Sequence, residues 1–173
     1  NVSDPVDNNS EDVPTSVVAL AGGGYAVTWV TNRNGDQDIY TRVYDANGAA
    51  IGDEQNVIDT ADNGVNDNFN IVTALSGGGY AVTWYAERDG DGDVFTRTYD
   101  ADGTPSGPER NASDDTDNDR HDSLISVTAL SSGGYVMTWF CNRDGDNDTF
   151  IRIYSSDGTP VGGEINVSDP SDN

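Results

Sequence analysis

A strict period of 55 residues governs this 173-residue chain. Trp29, Trp84 and Trp139 fall one period apart, as do Leu20, Leu75 and Leu130. The same spacing joins Tyr25, Tyr80 and Tyr135, Tyr44, Tyr99 and Tyr154, Arg33, Arg88 and Arg143, and Arg42, Arg97 and Arg152. Self-similarity at a fixed period means one supersecondary unit repeated, each copy burying its apolar faces against its neighbours. The units are residues 1–55, 56–110 and 111–165. Residues 166–173 repeat the opening octet ("NVSDPSDN" after "NVSDPVDN"), as the start of a fourth repeat or an interchangeable terminal segment. The pattern reads as a cut from a longer array, or as a unit whose two ends can be exchanged.

Within the first unit, "TSVVAL" (15–20) and "YAVTWVT" (25–31) read as two strands joined by the Gly22–Gly24 turn. "DIYTRVY" (38–44) is a third, followed by Asn47-Gly48, a two-residue hairpin signal matched by Asp102-Gly103 and Asp157-Gly158. "DEQNV" (53–57) is a short fourth. On the second strand, Tyr25, Val27 and Trp29 alternate with Ala26, Thr28 and Val30, so neither face is strongly polar and both are expected to be covered. On the third, Arg42 shares a face with Tyr40 and Tyr44, which suits a cation between rings. The fold class is therefore all-β: three tandem four-stranded antiparallel units, each like a propeller blade. Three blades are fewer than a ring of about four to eight needs, so an open array or an assembly with further copies of the chain is expected.

Charge narrows the partners. Asp and Glu number 31 against 8 Lys and Arg, a net charge of −23. All eight bases are Arg, and Asp outnumbers Glu 26 to 5. Such a chain repels nucleic acid and anionic membranes, and there is no apolar run of membrane-spanning length. The bias fits a calcium-rich, marine or salt-adapted (halophilic) setting. Cys141 aligns with Thr31 and Ala86, so it reads as a small strand residue with no intrachain disulfide available.

In an up-and-down meander, the loop after strand two and the connector between units lie at one rim. That rim collects Asn34, Asp36 and Asp38, Asp89, Asp91 and Asp93, and Asp144, Asp146 and Asp148. Connector residues Asp59, Asp62, Asp114 and Asp117 join them. Carboxylates at i, i+2 and i+4 around a glycine can aim oxygens at one centre, and Ca2+ takes six to eight such ligands. These thirteen residues are the expected calcium ligands. Turn-forming Asp, Asn and Gly are the structural alternative. One His and one Cys leave little for a transition metal.

The blocks "GGGYAVTWYAERDGDGDVFTRTYDADG" and "GGYVMTWFCNRDGDNDTFIRIYSSDGTPVGGE", with their first-unit counterpart, resemble repeats of large secreted bacterial and archaeal surface proteins. Those repeats accompany hemolysin-type calcium-binding (RTX) regions and adhesin arrays. The resemblance implies an extracellular or cell-surface, calcium-dependent structural or adhesive role. The G-G-x-G-x-D nonapeptides are missing, so the parallel β-roll and its calcium sites do not carry over.

A repeat array offers equivalent sites where an enzyme needs a distinct one. His121 aligns with Glu11 and Asn66, and no nucleophile–base pair can be built without it. The sequence alone therefore suggests no enzyme, but a structural or adhesive module that forms a filament or surface array. The alternative is a calcium-dependent, lectin-like propeller that binds glycans, for which the only loop aromatic in the reading is Phe69. Sequons stand at Asn1, Asn8, Asn111, Asn147 and Asn166.

Overall fold

The computed structural model describes residues 11–33, 35–58, 67–88, 90–113, 122–142 and 147–168. Every assigned element is a strand, and the strands form three four-stranded antiparallel sheets. The first sheet orders β1 (Asp12–Ala19), β2 (Tyr25–Thr31), β3 (Asp38–Tyr44) and β4 (Ala50–Asn56). The second orders β5 (Asp67–Ala74), β6 (Tyr80–Arg88), β7 (Asp91–Tyr99) and β8 (Arg110–Asn111). The third repeats the layout with β9 (Ser123–Ala129), β10 (Tyr135–Cys141), β11 (Asp148–Tyr154) and β12 (Ile165–Asn166). Each sheet closes on Asn56, Asn111 or Asn166, one residue into the next sequence period.

Register places the periodic aromatics opposite one another. Tyr25 pairs with Tyr44 and Trp29 with Tyr40, and both equivalent pairs recur in the other two sheets. The tyrosine rings stack at 5.4, 5.0 and 5.1 Å between centroids, a cross-strand arrangement that adds to burial. The sheets stack, so both faces of the second sheet's central strands are covered, while the outer faces of the first and third sheets are more open. Ala26, Ile39 and Val43 of the first sheet meet Tyr80, Val82 and Trp84 of the second in one core. Ala81 and Val94 of the second meet Tyr135, Met137 and Trp139 of the third in the other. Tyr80 Oη and Thr41 Oγ1 lie 3.2 Å apart across the first interface, and Tyr135 Oη and Thr96 Oγ1 lie 2.9 Å apart across the second. Cys141 is buried in this core, in line with its alignment to Thr31 and Ala86.

Two local expectations change. The turn after the third strand is not a two-residue loop. The N–H of Asp45 donates to Ala49 O and that of Gly48 to Asp45 O, with Gly48 at φ +84° and no positive φ at Asn47. The turn therefore takes a type I core with a glycine bulge, held by Asp45 Oδ1, which accepts from the N–H groups of Asn47 and Ala49. The fourth strand also differs between sheets. It spans seven residues in the first and two in the others, where Pro105 and Pro160 replace Ala50 and keep only an isolated bridge to Tyr99 and Tyr154. Proline has no ladder N–H to give, and the glycines that follow it weaken a strand further.

The glycine that opens each second strand has a different origin. A Cβ at Gly24, Gly79 or Gly134 would collide with the backbone carbonyl of Tyr44, Tyr99 or Tyr154. Phe69, expected in a loop, stands within β5 at φ +50°, where the register to β6 shifts between Asn68 and Ile71. A left-handed backbone at a bulky residue costs on the order of 1–3 kcal/mol.

Candidate functional site

The start of strand one, the end of strand two and the start of strand three share one rim in every sheet. The N–H of Asp67 donates to Gln37 O and that of Asp122 to Gly92 O, tying each new unit to the loop of the unit before it. The described end of each connector therefore meets the strand two–three loop, while the connector acids lie outside the described residues.

Asp38 and Asp148 open β3 and β11 and are buried, and their equivalent Asp93 is the third residue of β7. Asp148 Oδ1 accepts a hydrogen bond from Ser168 Oγ at 2.7 Å, and Asp93 Oδ1 accepts from Ser113 Oγ at 3.1 Å. The same serine oxygens accept the N–H groups of Thr149 and Val94. Asn166 Oδ1 in turn accepts the N–H of Ser168 at 3.1 Å, and Asn56 Oδ1 that of Ile58 at 2.9 Å. The connector is thus pinned to strand three by an Asn-x-Ser turn, with Ile58 in the serine's place in the first unit. Two sequons acquire a structural meaning here: the carboxamide of Asn166 is buried, and that of Asn111 lies 3.1 Å from Ser113 Oγ.

Of the expected calcium ligands, Asp36 is half-buried in its loop, and Asp91 contributes to β7. Asn34, Asp59, Asp62, Asp89, Asp114, Asp117, Asp144 and Asp146 lie outside the described residues. Among the described residues, no three His, Cys, Asp or Glu side chains gather into a group that could hold a metal ion. Asp93 and Asp148 each accept from a serine hydroxyl through one carboxylate oxygen.

A second set at this rim went unread in the sequence. Asp67 is fully buried and accepts the indole N–H of Trp84 at 3.0 Å. Arg88 Nη2 lies 3.5 Å from the same Asp67 oxygen, its Nη1 pairs with Glu109, and its guanidinium lies 3.9 Å from the centre of the Phe95 ring. The first unit repeats this with Arg33, Glu54 and the Tyr40 ring, at 4.3 Å, but Asp12 is looser, at 3.9 Å from Arg33. The signal was available. Asp12, Asp67 and Asp122 hold the period, and three of the five Glu (Glu54, Glu109 and Glu164) do too.

The ring-stacked cation is therefore not the one expected. Arg42 donates through Nε and Nη2 to Gly52 O at 3.2 and 3.0 Å and also hydrogen-bonds the Tyr44 side chain. Its counterparts reach the residue just after the preceding sheet, Arg97 donating to Val57 O at 3.1 Å and Arg152 to Ala112 O at 3.2 Å. Strand-face alternation put Arg42 beside two rings, but a backbone carbonyl is a better acceptor for a guanidinium that can reach it.

No family model matches the chain, and no curated protein matches it. A solved structure that it resembles is that of an endo-arabinase from Bacteroides thetaiotaomicron VPI-5482, at 14% identity and a TM-score of 0.49. The match covers 90% of this chain and 61% of that one. That neighbour is an enzyme, which corrects the expectation that a repeat array of this kind is not one. The likeness assigns this chain no reaction.

Proposed function

We propose that the chain is a structural or adhesive module of an extracellular, calcium-stabilised surface array, which packs end to end with further copies of itself. One observation carries this reading. Ala26, Thr28 and Val43, and their equivalents Ala81, Thr83 and Thr98, are buried under the following unit. The matching Val136, Thr138 and Ile153 of the third unit are only part-buried, and Phe140 beside them is exposed. Val167 is 47% exposed where Val57 and Ala112 are fully buried. An apolar face covered twice and bare once supports a partner of the same kind. The occupant is the opposite face of another copy's first unit, where Tyr25 and Val27 are more open than Tyr80 and Val82.

Calcium enters on electrostatic grounds. Net charge of −23 and three acidic rim loops repel one another, and divalent cations would relieve that repulsion. Light scattering after size exclusion, and melting in calcium or in a chelator, test both parts. The array reading expects multimers that Ile153→Asp and Val27→Asp each abolish, and a lower melting temperature in chelator. A monomer at every concentration would refute the assembly, and calcium-independent melting would refute the metal.

A further inference from the structure

We propose that the pocket beside Phe69 is a binding site for a neutral sugar, separate from the calcium rim and from the end faces. Phe69 is 81% exposed, the most exposed large apolar side chain among those described. It holds a positive φ at a strand irregularity, so neither its ring nor its backbone conformation serves the fold. Beside it opens a pocket of about 380 Å³, walled by Val13 and Val30 on one side and by Gln37, Asn68 and Asn70 on the other.

Asn70 carries the argument further. Only 7% of it is exposed, and its Oδ1 accepts from the hydroxyls of Thr15 and Thr28 at 2.8 and 2.7 Å. The other end of the amide, Nδ2, is a buried polar atom with no partner among the described residues. A buried orphan donor is unfavourable until an acceptor reaches it, and native proteins leave few of them. Amide and hydroxyl groups line the pocket and, among the described residues, no charged side chain does, so these residues offer an ionic ligand no counter-ion. What fits is a ring with one apolar C–H face for the electron-rich face of Phe69 and an edge of hydroxyls for the amides. A neutral sugar has that chemistry.

The site also interrupts the period. Asn68, Phe69 and Asn70 stand where the first unit has Val13, Pro14 and Thr15 and the third has Ser123, Leu124 and Ile125. The flanking Asp67 and Val72 keep to the period, as Asp12 and Asp122, and Val17 and Val127. Function concentrated at one unit of an array is the pattern expected when a ligand site is added to a repeated scaffold.

The test is titration of the whole chain with maltose, cellobiose, lactose and xylobiose, followed by ligand-observed saturation-transfer NMR and repeated in chelator. At least one disaccharide is expected to bind, equally with and without calcium, with the strongest transfer to ring C–H protons. Phe69→Gly should weaken binding at least tenfold while melting at the same or a higher temperature, since glycine accepts the positive φ. Val161→Ala, an exposed apolar side chain elsewhere, should bind as the parent does. Failure of all four sugars to bind would overturn the proposal. So would equal binding by Phe69→Gly, or stronger binding of the anionic sugar N-acetylneuraminic acid.

Discussion

Asp67→Ala should be among the most damaging single changes at the acidic rim, and Asp12→Ala, one period earlier, should do little. Asp67 is fully buried, accepts the Trp84 indole N–H, and lies 3.5 Å from Arg88. Removing one partner from a buried pair costs about 3–5 kcal/mol, because the other charge is left without compensation. Arg88 keeps Glu109 and the Phe95 ring, which sets the expectation at the low end, about 3 kcal/mol. Asp12 is 21% exposed at its side chain and stands 3.9 Å from Arg33, and the Trp29 indole N–H finds no partner among the described residues. Its loss should cost about 0–1 kcal/mol. Asp67→Asn retains an acceptor for the indole and should fall between the two. In a chain of this size, about 2–4 °C of melting temperature accompanies each kcal/mol, so Asp67→Ala should melt roughly 6–12 °C lower. Calorimetry and urea midpoints of the three variants measure this. Equal losses for Asp12→Ala and Asp67→Ala would refute the reasoning, since the two differ chiefly in burial and in the indole bond.

Gly79→Ala should destabilise by about 1–3 kcal/mol, because the new Cβ meets the Tyr99 carbonyl, while Gly22→Ala, with open space around it, should stay within about 0.5 kcal/mol. Urea midpoints read the difference. Burial pushes the Tyr80 and Tyr154 phenols up to about 12. A folded pKa above the unfolded value of about 10 contributes stability that is complete below pH 10 and is lost between pH 10 and 12, on the order of 3 kcal/mol per ring. Absorbance at 295 nm followed with circular dichroism should show these phenols ionising only as the sheets unfold. Ser113→Ala removes the hydroxyl that accepts the Val94 N–H and donates to Asp93, and should cost about 1–3 kcal/mol. Faster amide exchange at Val94 is the local readout, and unchanged exchange there would contradict the assigned bond.

The fold was legible because its signals are periodic and apolar. Trp29, Trp84 and Trp139 marked the second strands, and the alternation around them foretold two covered faces, which the middle sheet has in full. The polar interior was less legible. Sequence alternation tells which face a side chain leaves from but not how far it reaches, so Arg42 was matched to adjacent rings and not to a carbonyl. Arg33 and Glu54 lie on different strands, and nothing local joins them; only their common period does. The Phe69 pocket was hidden for another reason. Its parts come from β1, β2, β5 and the loop before β3, and Asn70 looks like any polar strand residue until its buried Nδ2 is seen.

The clamps between units carry a consequence for how such a chain can lengthen. Thr41 meets Tyr80 and Thr96 meets Tyr135 at the same sequence offset of 39, and Arg97 and Arg152 reach back by 40. Every joint uses residues that the period itself supplies. Duplicating 55 residues anywhere in the coding sequence would deliver a new sheet whose two faces already match its neighbours. An insertion of any other length within a sheet would break the offset at two joints together. Growth and loss by whole periods is therefore nearly free of new design, while the aligned hydroxyls and carbonyls select against every intermediate length.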